Sequence, residues 1–202
     1  MFVKICGITR AEDAKAAVDA GAQALGFVFW PDSPRFIEPD RARAIVAQLP
    51  PFVTPVGIFV NQPAEYVSAV ADLVGLGAVQ LHGDEQPSFL EGVRRPVIKA
   101  VPVGNSDERG IDVWPSRVTL LLDVHDPVKR GGTGRTIDWS AAAKIAATRP
   151  SMLAGGLTPE NVGEAIHAVR PFGIDVSSGV ECQPGVKDGG LMKALFEAIS
   201  RA

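Results

Sequence analysis

Three polar side chains lie at the ends of apolar, β-rich runs, and a fourth follows such a run in a loop. Cys6 ends the run 3–6, His82 follows the run 79–81, Asp123 ends the run 118–123, and Arg35 lies in the segment 30–35. A thiolate can act as a general base if its charge is stabilised, and a partly desolvated carboxyl group can donate a proton. The planar fork of an arginine matches a carboxylate. These residue types fit acid–base chemistry on an anionic substrate.

Each of these residues also has a structural explanation. A free cysteine such as Cys6 is commonly a small buried hydrophobe, and a strand-end aspartate such as Asp123 can cap a turn. Arg35 can be a solvated surface residue, and His82 can either line a site or satisfy a local hydrogen bond. Asp126 is a rival to Asp123, but it precedes a proline and is more typical of a turn.

Two glycine-rich segments near the C-terminus indicate a phosphate site. The segment 153–158 contains Gly155 and Gly156, and the segment 175–181 contains Ser177, Ser178 and Gly179. Glycines allow the backbone to close around an anion, and free N–H groups supply donors. The alternative is a pair of ordinary turns. A third such segment, 129–134, is basic and predicts a cover over the site; it lacks the ending of a nucleotide-binding P-loop.

The elements that would position these residues alternate along the whole chain. Predicted strands are Val3–Cys6, Ala24–Phe27, Thr54–Phe59, Ala78–Leu81, Val97–Ala100, Thr119–Asp123, Met152–Ala154 and Gly173–Val176. Predicted helices are Ala11–Ala20, Pro39–Gln48, Ala64–Leu73, Ser88–Val93, Trp139–Ala147, Pro159–Val169 and Leu191–Ser200, with only a short helical turn between residues 101 and 118.

This alternation predicts an α/β fold, a single (β/α)8 TIM-type barrel of parallel strands that fills one domain, residues 1–202. In such a barrel the ends of the strands meet at one face, where the site lies. The alternative, an open doubly wound sheet, would favour a Gly-x-Gly-x-x-Gly turn after the first strand, and residues 6–10 do not form one.

Local signals predict three helix boundaries. Thr9 and Glu12 have the spacing of a capping box, Thr158 before Pro159 is typical of a helix N-cap, and Gly21 is expected to end the first helix.

Composition excludes several classes of protein. Hydrophobic residues make up 46% of the 202 residues and charged residues 21%, with a net charge of -3, which favours a globular protein over a nucleic-acid or membrane binder. No run is long and apolar enough to span a membrane, and no signal peptide begins the sequence, so a cytoplasmic location is expected. Cys6 and Cys182 are therefore expected to be free thiols, and no metal site is predicted from their spacing or from the three histidines.

Six segments, in order along the chain, resemble phosphoribosylanthranilate isomerases. They are residues 4–9, 26–29 with 33–35, 79–83, 122–123 with 131–134, 153–157 and 175–181. The resemblance implies a barrel enzyme of tryptophan biosynthesis that needs no metal or cofactor. It also implies an Amadori rearrangement of N-(5-phosphoribosyl)anthranilate to 1-(2-carboxyphenylamino)-1-deoxyribulose 5-phosphate. By the family pattern Cys6 matches the general base, Asp123 the general acid, and Arg35 the group that positions the anthranilate end.

Two other functions stay open from the sequence. The histidine-pathway isomerase performs the same rearrangement on another phosphoribosyl substrate, but with aspartates in both acid–base roles. A barrel that binds a sugar phosphate without turning it over is the second. A metal-dependent epimerase fits less well, because the histidines do not form ligand pairs at strand ends. A small phosphoribosyl molecule is the expected partner, and the chain is expected to be a monomer or a homodimer.

Overall fold

The computed structural model describes residues 1–103, 109–124 and 137–202, with backbone only for 109 and 110. Eight parallel strands form a closed barrel in sequence order, and β1 also pairs with β8. They are β1 (Phe2–Cys6), β2 (Ala24–Val28), β3 (Thr54–Phe59), β4 (Ala78–Leu81), β5 (Val97–Pro102), β6 (Thr119–Asp123), β7 (Ser151–Leu153) and β8 (Gly173–Val176). The predicted barrel is confirmed.

Helices cover the outside of the barrel. They are α1 (Ala11–Ala20), α2 (Pro39–Val46), α3 (Ala64–Val74), α4 (Arg109–Asp112), α5 (Trp139–Ala146), α6 (Val162–Val169) and α7 (Gly189–Ser200). Because each strand is covered on both faces, its residues are buried almost without interruption; all five residues of β2 are buried. None of the helices in the described ranges is long and apolar enough to cross a membrane.

The N-caps predicted for two helices are wrong, and one of these helices also begins later than predicted. Helix α1 begins after Arg10, so Thr9 lies one residue too early to cap it, and its hydroxyl donates to Gly185 O instead. Helix α6 begins at Val162, because residues 159–161 form a turn in which Asn161 Oδ1 accepts from Thr158 N at 2.8 Å. The predicted end of α1 is confirmed, since Gly21 has a φ of 113°.

Two short elements also differ from expectation. The predicted helix Ser88–Val93 is a 3-10 helix, Pro87–Gly92, a form that such short segments commonly take. After β8 and a 3-10 turn, Ser178–Val180, the chain forms a small antiparallel hairpin of β9 (Glu181–Gln183) and β10 (Val186–Lys187), which the sequence did not predict. The remaining predicted strands and helices agree with the structure to within two residues at each end.

Candidate active site

A cavity of about 650 Å³ opens at the carboxyl ends of the strands. Its wall includes most of the residues singled out from the sequence, which come from six different strand ends or the loops after them. These are Cys6, Arg35, His82, Asp123, Gly155, Gly156, Ser177 and Ser178. The fold therefore brings together in one cavity residues that lie up to 172 positions apart in the chain. Asp126 and the segment 129–134 lie outside the described residues.

Asp123 ends β6 with both carboxylate oxygens in contact with possible donors. Oδ1 accepts a hydrogen bond from Val124 N at 2.7 Å, and Oδ2 lies 3.3 Å from His82 Nε2. The other imidazole nitrogen, Nδ1, lies 2.9 Å from the side-chain amide nitrogen of Gln80. Gln80, His82 and Asp123 thus form a continuous line of polar groups along the cavity wall. His82 both lines the cavity and makes a local hydrogen bond.

Cys6 shares its side of the barrel with a buried ion pair. Lys4 precedes Cys6 by two residues in β1, so both side chains point into the barrel. Lys4 Nζ donates to Asp175 Oδ2 at 2.8 Å, and its side chain is fully buried. Burial raises the pKa of the Cys6 thiol more than the positive charges of Lys4 and Lys187 lower it. Cys6 is therefore a thiol at neutral pH until a further positive charge approaches.

Arg35 reaches the cavity in a bidentate ion pair. Its Nε and Nη2 donate to the two oxygens of Glu181, at 2.9 and 2.7 Å, and Lys187 Nζ donates to the same carboxylate at 2.8 Å. Two basic side chains thus share one carboxylate beside the cavity, and burial lowers the pKa of Lys187. These hydrogen bonds outweigh the effect of burial and hold the pKa of Glu181 below its usual value. A Cβ on residue 7 would lie only 2.5 Å from Arg35 Cδ. The absence of a side chain at Gly7 therefore lets the arginine side chain pass over the backbone at this point.

The two glycine-rich loops pack against each other, and both contribute residues to the cavity wall. Gly155 and Gly156 have φ values of 84° and 62°, a conformation that favours glycine. Ser177 Oγ is buried without a hydrogen-bond partner among the described residues. Gly179 is not part of the cavity wall; a Cβ there would lie too close to Leu157 O, so this glycine serves the contact between the loops.

Several site residues did not stand out in the sequence. Gln80 and Asp175 line the cavity, and Lys4, Glu181 and Lys187 support the residues that do. Three of them share a simple signal, because Lys4, Gln80 and Asp175 each precede a predicted site residue by two positions. Residues two apart in a strand point to the same side. Among residues 1–103, 109–124 and 137–202, no three His, Cys, Asp or Glu side chains are grouped as a metal site would require.

Comparison with known proteins identifies the family. The family model described as N-(5'phosphoribosyl)anthranilate (PRA) isomerase matches residues 3–198. The chain belongs to this family. A relative from Pelobacter propionicus, named N-(5'-phosphoribosyl)anthranilate isomerase, is 54% identical over 188 residues, which cover 92% of this chain and 89% of the relative. The resemblance seen in the sequence is thereby confirmed.

Solved structures of the family have the same fold. The crystal structure of phosphoribosyl anthranilate isomerase from Thermotoga maritima superposes with a TM-score of 0.92 at 45% identity, covering 100% of both chains. A crystal structure of such an isomerase in complex with reduced 1-(o-carboxyphenylamino)-1-deoxyribulose 5-phosphate has a TM-score of 0.89 at 44% identity and also covers 100% of both chains.

Proposed function

We propose that this chain converts N-(5-phosphoribosyl)anthranilate to 1-(2-carboxyphenylamino)-1-deoxyribulose 5-phosphate in tryptophan biosynthesis, with Asp123 as general acid and Cys6 as general base. The observation that carries this proposal is that a thiol and a carboxyl group, from strands on different sides of the barrel, line the same cavity. Membership of the family and the complex of a related enzyme with a reduced phosphate compound of this type support it.

Asp123 acts first in this mechanism. It protonates the ring oxygen of the ribose, the ring opens, and the nitrogen lone pair forms a protonated Schiff base with C1. The carboxylate that remains is stabilised by the N–H of Val124, 2.7 Å away. Stabilising the anion that forms lowers the barrier to the proton transfer.

Cys6 acts on the open-chain intermediate. The positive charge of the Schiff base acidifies the proton on C2, and the thiolate removes it to give an enolamine. Lys4 and Lys187 already favour the thiolate, although burial keeps the pKa of Cys6 raised in the free protein. The cationic intermediate adds the further positive charge that the thiolate needs. The Cys6 thiol then gives its proton to C1, and the Asp123 carboxylate takes the proton of the C2 hydroxyl, which gives the ketone and restores both groups.

The two ends of the substrate are anionic, and the cavity wall offers a group for each. We assign the anthranilate carboxylate to Arg35, which shares the single carboxylate of Glu181 with a second basic residue, Lys187. We assign the phosphate to the loops that hold Gly155, Gly156, Ser177 and Ser178, with Gly179 keeping the loops together. Anchoring both ends would hold the sugar between the acid and the base.

The test is turnover of freshly prepared phosphoribosylanthranilate by the purified protein with a metal chelator present. We expect Cys6→Ala and Asp123→Asn each to lower kcat by about 10² to 10⁴, and Cys182→Ala, which changes the exposed second cysteine, to leave it unchanged. Normal turnover in the first or second variant would refute its role. Absence of turnover by the folded wild-type protein would leave a binding barrel or the histidine-pathway substrate. A cytoplasmic monomer or homodimer stays our prediction.

A further inference from the structure

The contacts among Gln80, His82 and Asp123 indicate which imidazole nitrogen of His82 carries the proton. The proposed mechanism does not use this property. Gln80 lies in β4, is only 1% exposed, and has its amide nitrogen 2.9 Å from His82 Nδ1. An amide NH2 group can only donate a hydrogen bond, so with the amide in this orientation Nδ1 of His82 accepts. In a neutral imidazole the proton then lies on Nε2, the nitrogen that is 3.3 Å from Asp123 Oδ2.

The tautomer matters because it decides where a proton on Asp123 can go. With Nε2 protonated, His82 can only donate to Asp123, which stabilises the carboxylate left after the sugar has been protonated. With Nδ1 protonated, Nε2 would carry a lone pair. It would accept the proton of Asp123 and compete with the ribose ring oxygen for it. A separation of 3.3 Å is long for a hydrogen bond, as is common in catalytic pairs before the substrate binds.

A second observation connects Gln80 to the substrate. Its amide oxygen, Oε1, is buried and has no hydrogen-bond partner among the described residues, and Gln80 lines the cavity. An unsatisfied buried oxygen is costly, so it is expected to find a donor when the site is occupied. A hydroxyl group of the open-chain sugar can supply that donor. The hydroxyl would hold the amide with its nitrogen towards His82.

From this geometry we propose that Gln80 is a positioning residue that keeps His82 protonated on Nε2, so that the proton of Asp123 is delivered to the sugar. The inference rests on the proposed function. Asp123 gives its proton to the ring oxygen and becomes a carboxylate that faces His82 Nε2–H. When the ketone forms, Asp123 takes up the proton of the C2 hydroxyl, so it ends the cycle as it began. Gln80 touches neither proton.

The experiment is NMR of the two imidazole nitrogens in histidine-labelled protein, at a pH where the imidazole of His82 is neutral. The chain has three histidines, and the His82→Gln variant assigns the signals of His82. We expect a protonated Nε2 in the wild type. In Gln80→Glu the carboxylate can only accept, so the proton should move to Nδ1, and kcat should fall roughly 10- to 100-fold. A Gln80→Leu variant, which adds no charge, should give mixed tautomers and a smaller loss.

The matched control is Gln23→Glu. Gln23 Oε1 accepts from Val3 N at 2.7 Å at the opposite end of the barrel, and glutamate can accept the same bond. This variant should keep the wild-type tautomer of His82 and the wild-type kcat. Because Gln23 is exposed and Gln80 is buried, this control tests the added charge alone, and Gln80→Leu tests the loss of the amide without a buried charge.

The outcomes separate the inference from the proposed function. If Asp123→Asn is inactive but wild-type His82 carries its proton on Nδ1, or Gln80→Glu keeps the wild-type tautomer, the inference is overturned and the proposed function stands. If the tautomer moves but kcat does not change, the inference is also overturned. If Asp123→Asn turns over normally, the role of Asp123 as general acid fails and the inference fails with it; if the folded wild-type protein does not turn the substrate over, the proposed function itself fails.

Discussion

Two buried lysines on opposite sides of the barrel, Lys4 in β1 and Lys99 in β5, each pair with a carboxylate at 2.8 Å. The carboxylate of Glu85, the partner of Lys99, is fully satisfied: Asn61 N donates to Oε1, and Gly83 N and Lys99 donate to Oε2. Asp175, the partner of Lys4, has one oxygen bonded to the lysine and one buried oxygen without a partner among the described residues.

The two pairs also differ in where they lie relative to the cavity. The pair of Lys99 and Glu85 ties together the loops after β3 and β4 and does not line the cavity. The pair of Lys4 and Asp175 lies beside Cys6, and Asp175 does line the cavity. Both pairs are buried and carry the same charges, so these properties do not distinguish them. The unsatisfied oxygen of Asp175 does distinguish the pair beside the cavity.

The largest effect is expected from Lys4→Met. The change leaves the charge of Asp175 buried and unpaired, which should cost about 3–5 kcal/mol of the free energy of unfolding. It also removes a positive charge that favours the Cys6 thiolate, so kcat should fall about 10- to 100-fold in the molecules that remain folded. Chemical denaturation and turnover at low temperature measure the two effects. A normal kcat would remove the functional distinction between the pairs.

The same substitution at Lys99 should affect only stability. Lys99→Met leaves Glu85 buried without its counter-charge, with an expected loss of about 3–5 kcal/mol. Gly83, Glu85 and Trp114, which Lys99 contacts among the described residues, do not line the cavity. Turnover per folded molecule should equal that of the wild type. A fall in kcat as large as that of Lys4→Met would mean that both pairs serve the site.

A third pair, Lys187 with Glu181, tests an intermediate case, since both oxygens of Glu181 are bonded yet Arg35 lies in the cavity wall. The lowered pKa of Glu181 means that its contribution to stability is present above its unfolded pKa and is lost as pH falls through the folded value. At neutral pH, Glu181→Gln should cost about 1.5–3 kcal/mol. Denaturation curves should show the difference from the wild type shrinking below about pH 4.5, the usual glutamate value. A constant difference would contradict this assignment.

The smallest effect concerns the reactivity of Cys6. In a Cys182→Ala background, alkylation by iodoacetamide should accelerate as pH rises through the raised pKa of Cys6. The negative charge of Asp175 helps to raise that pKa, so Asp175→Asn should speed alkylation at pH 8 by roughly threefold. Glu85→Gln should leave the rate unchanged. Slower alkylation in Asp175→Asn would show that Asp175 does not act on Cys6 through its charge.

Much of the site could be predicted because polar residues at the ends of apolar strands are easy to recognise in the sequence. Cys6, His82 and Asp123 lie at the ends of apolar runs. The rule that the ends of parallel strands meet at one face was enough to predict that these residues lie together. Lys4 and Gln80 could have been found by the same alternation, since each lies two residues before a site residue in its strand. The sequence offered no basis for pairing Lys4 with Asp175, because such a contact depends on how the barrel closes.

The wrong predictions have one cause in common. Thr9 and Thr158 have the side chains of helix caps, but a cap is effective only at the residue where the helix begins. Tertiary contacts decided that position: Thr9 bonds Gly185, far away in the hairpin, and Asn161 anchors its turn to Gly156 with a 2.9 Å hydrogen bond. A local sequence signal indicates which side chain could cap a helix, but tertiary contacts decide whether that side chain is available and where the helix begins.

The contact between Lys4 and Asp175 also bears on how the protein is made. The two residues are 171 positions apart, and a ribosome adds about 5–20 residues per second. Lys4 is therefore synthesised roughly 10–30 s before its counter-charge. Until then the first strand carries an ammonium group whose burial would be costly. Strand β8, the last strand of the barrel, both closes it and completes the surroundings of the Cys6 thiol.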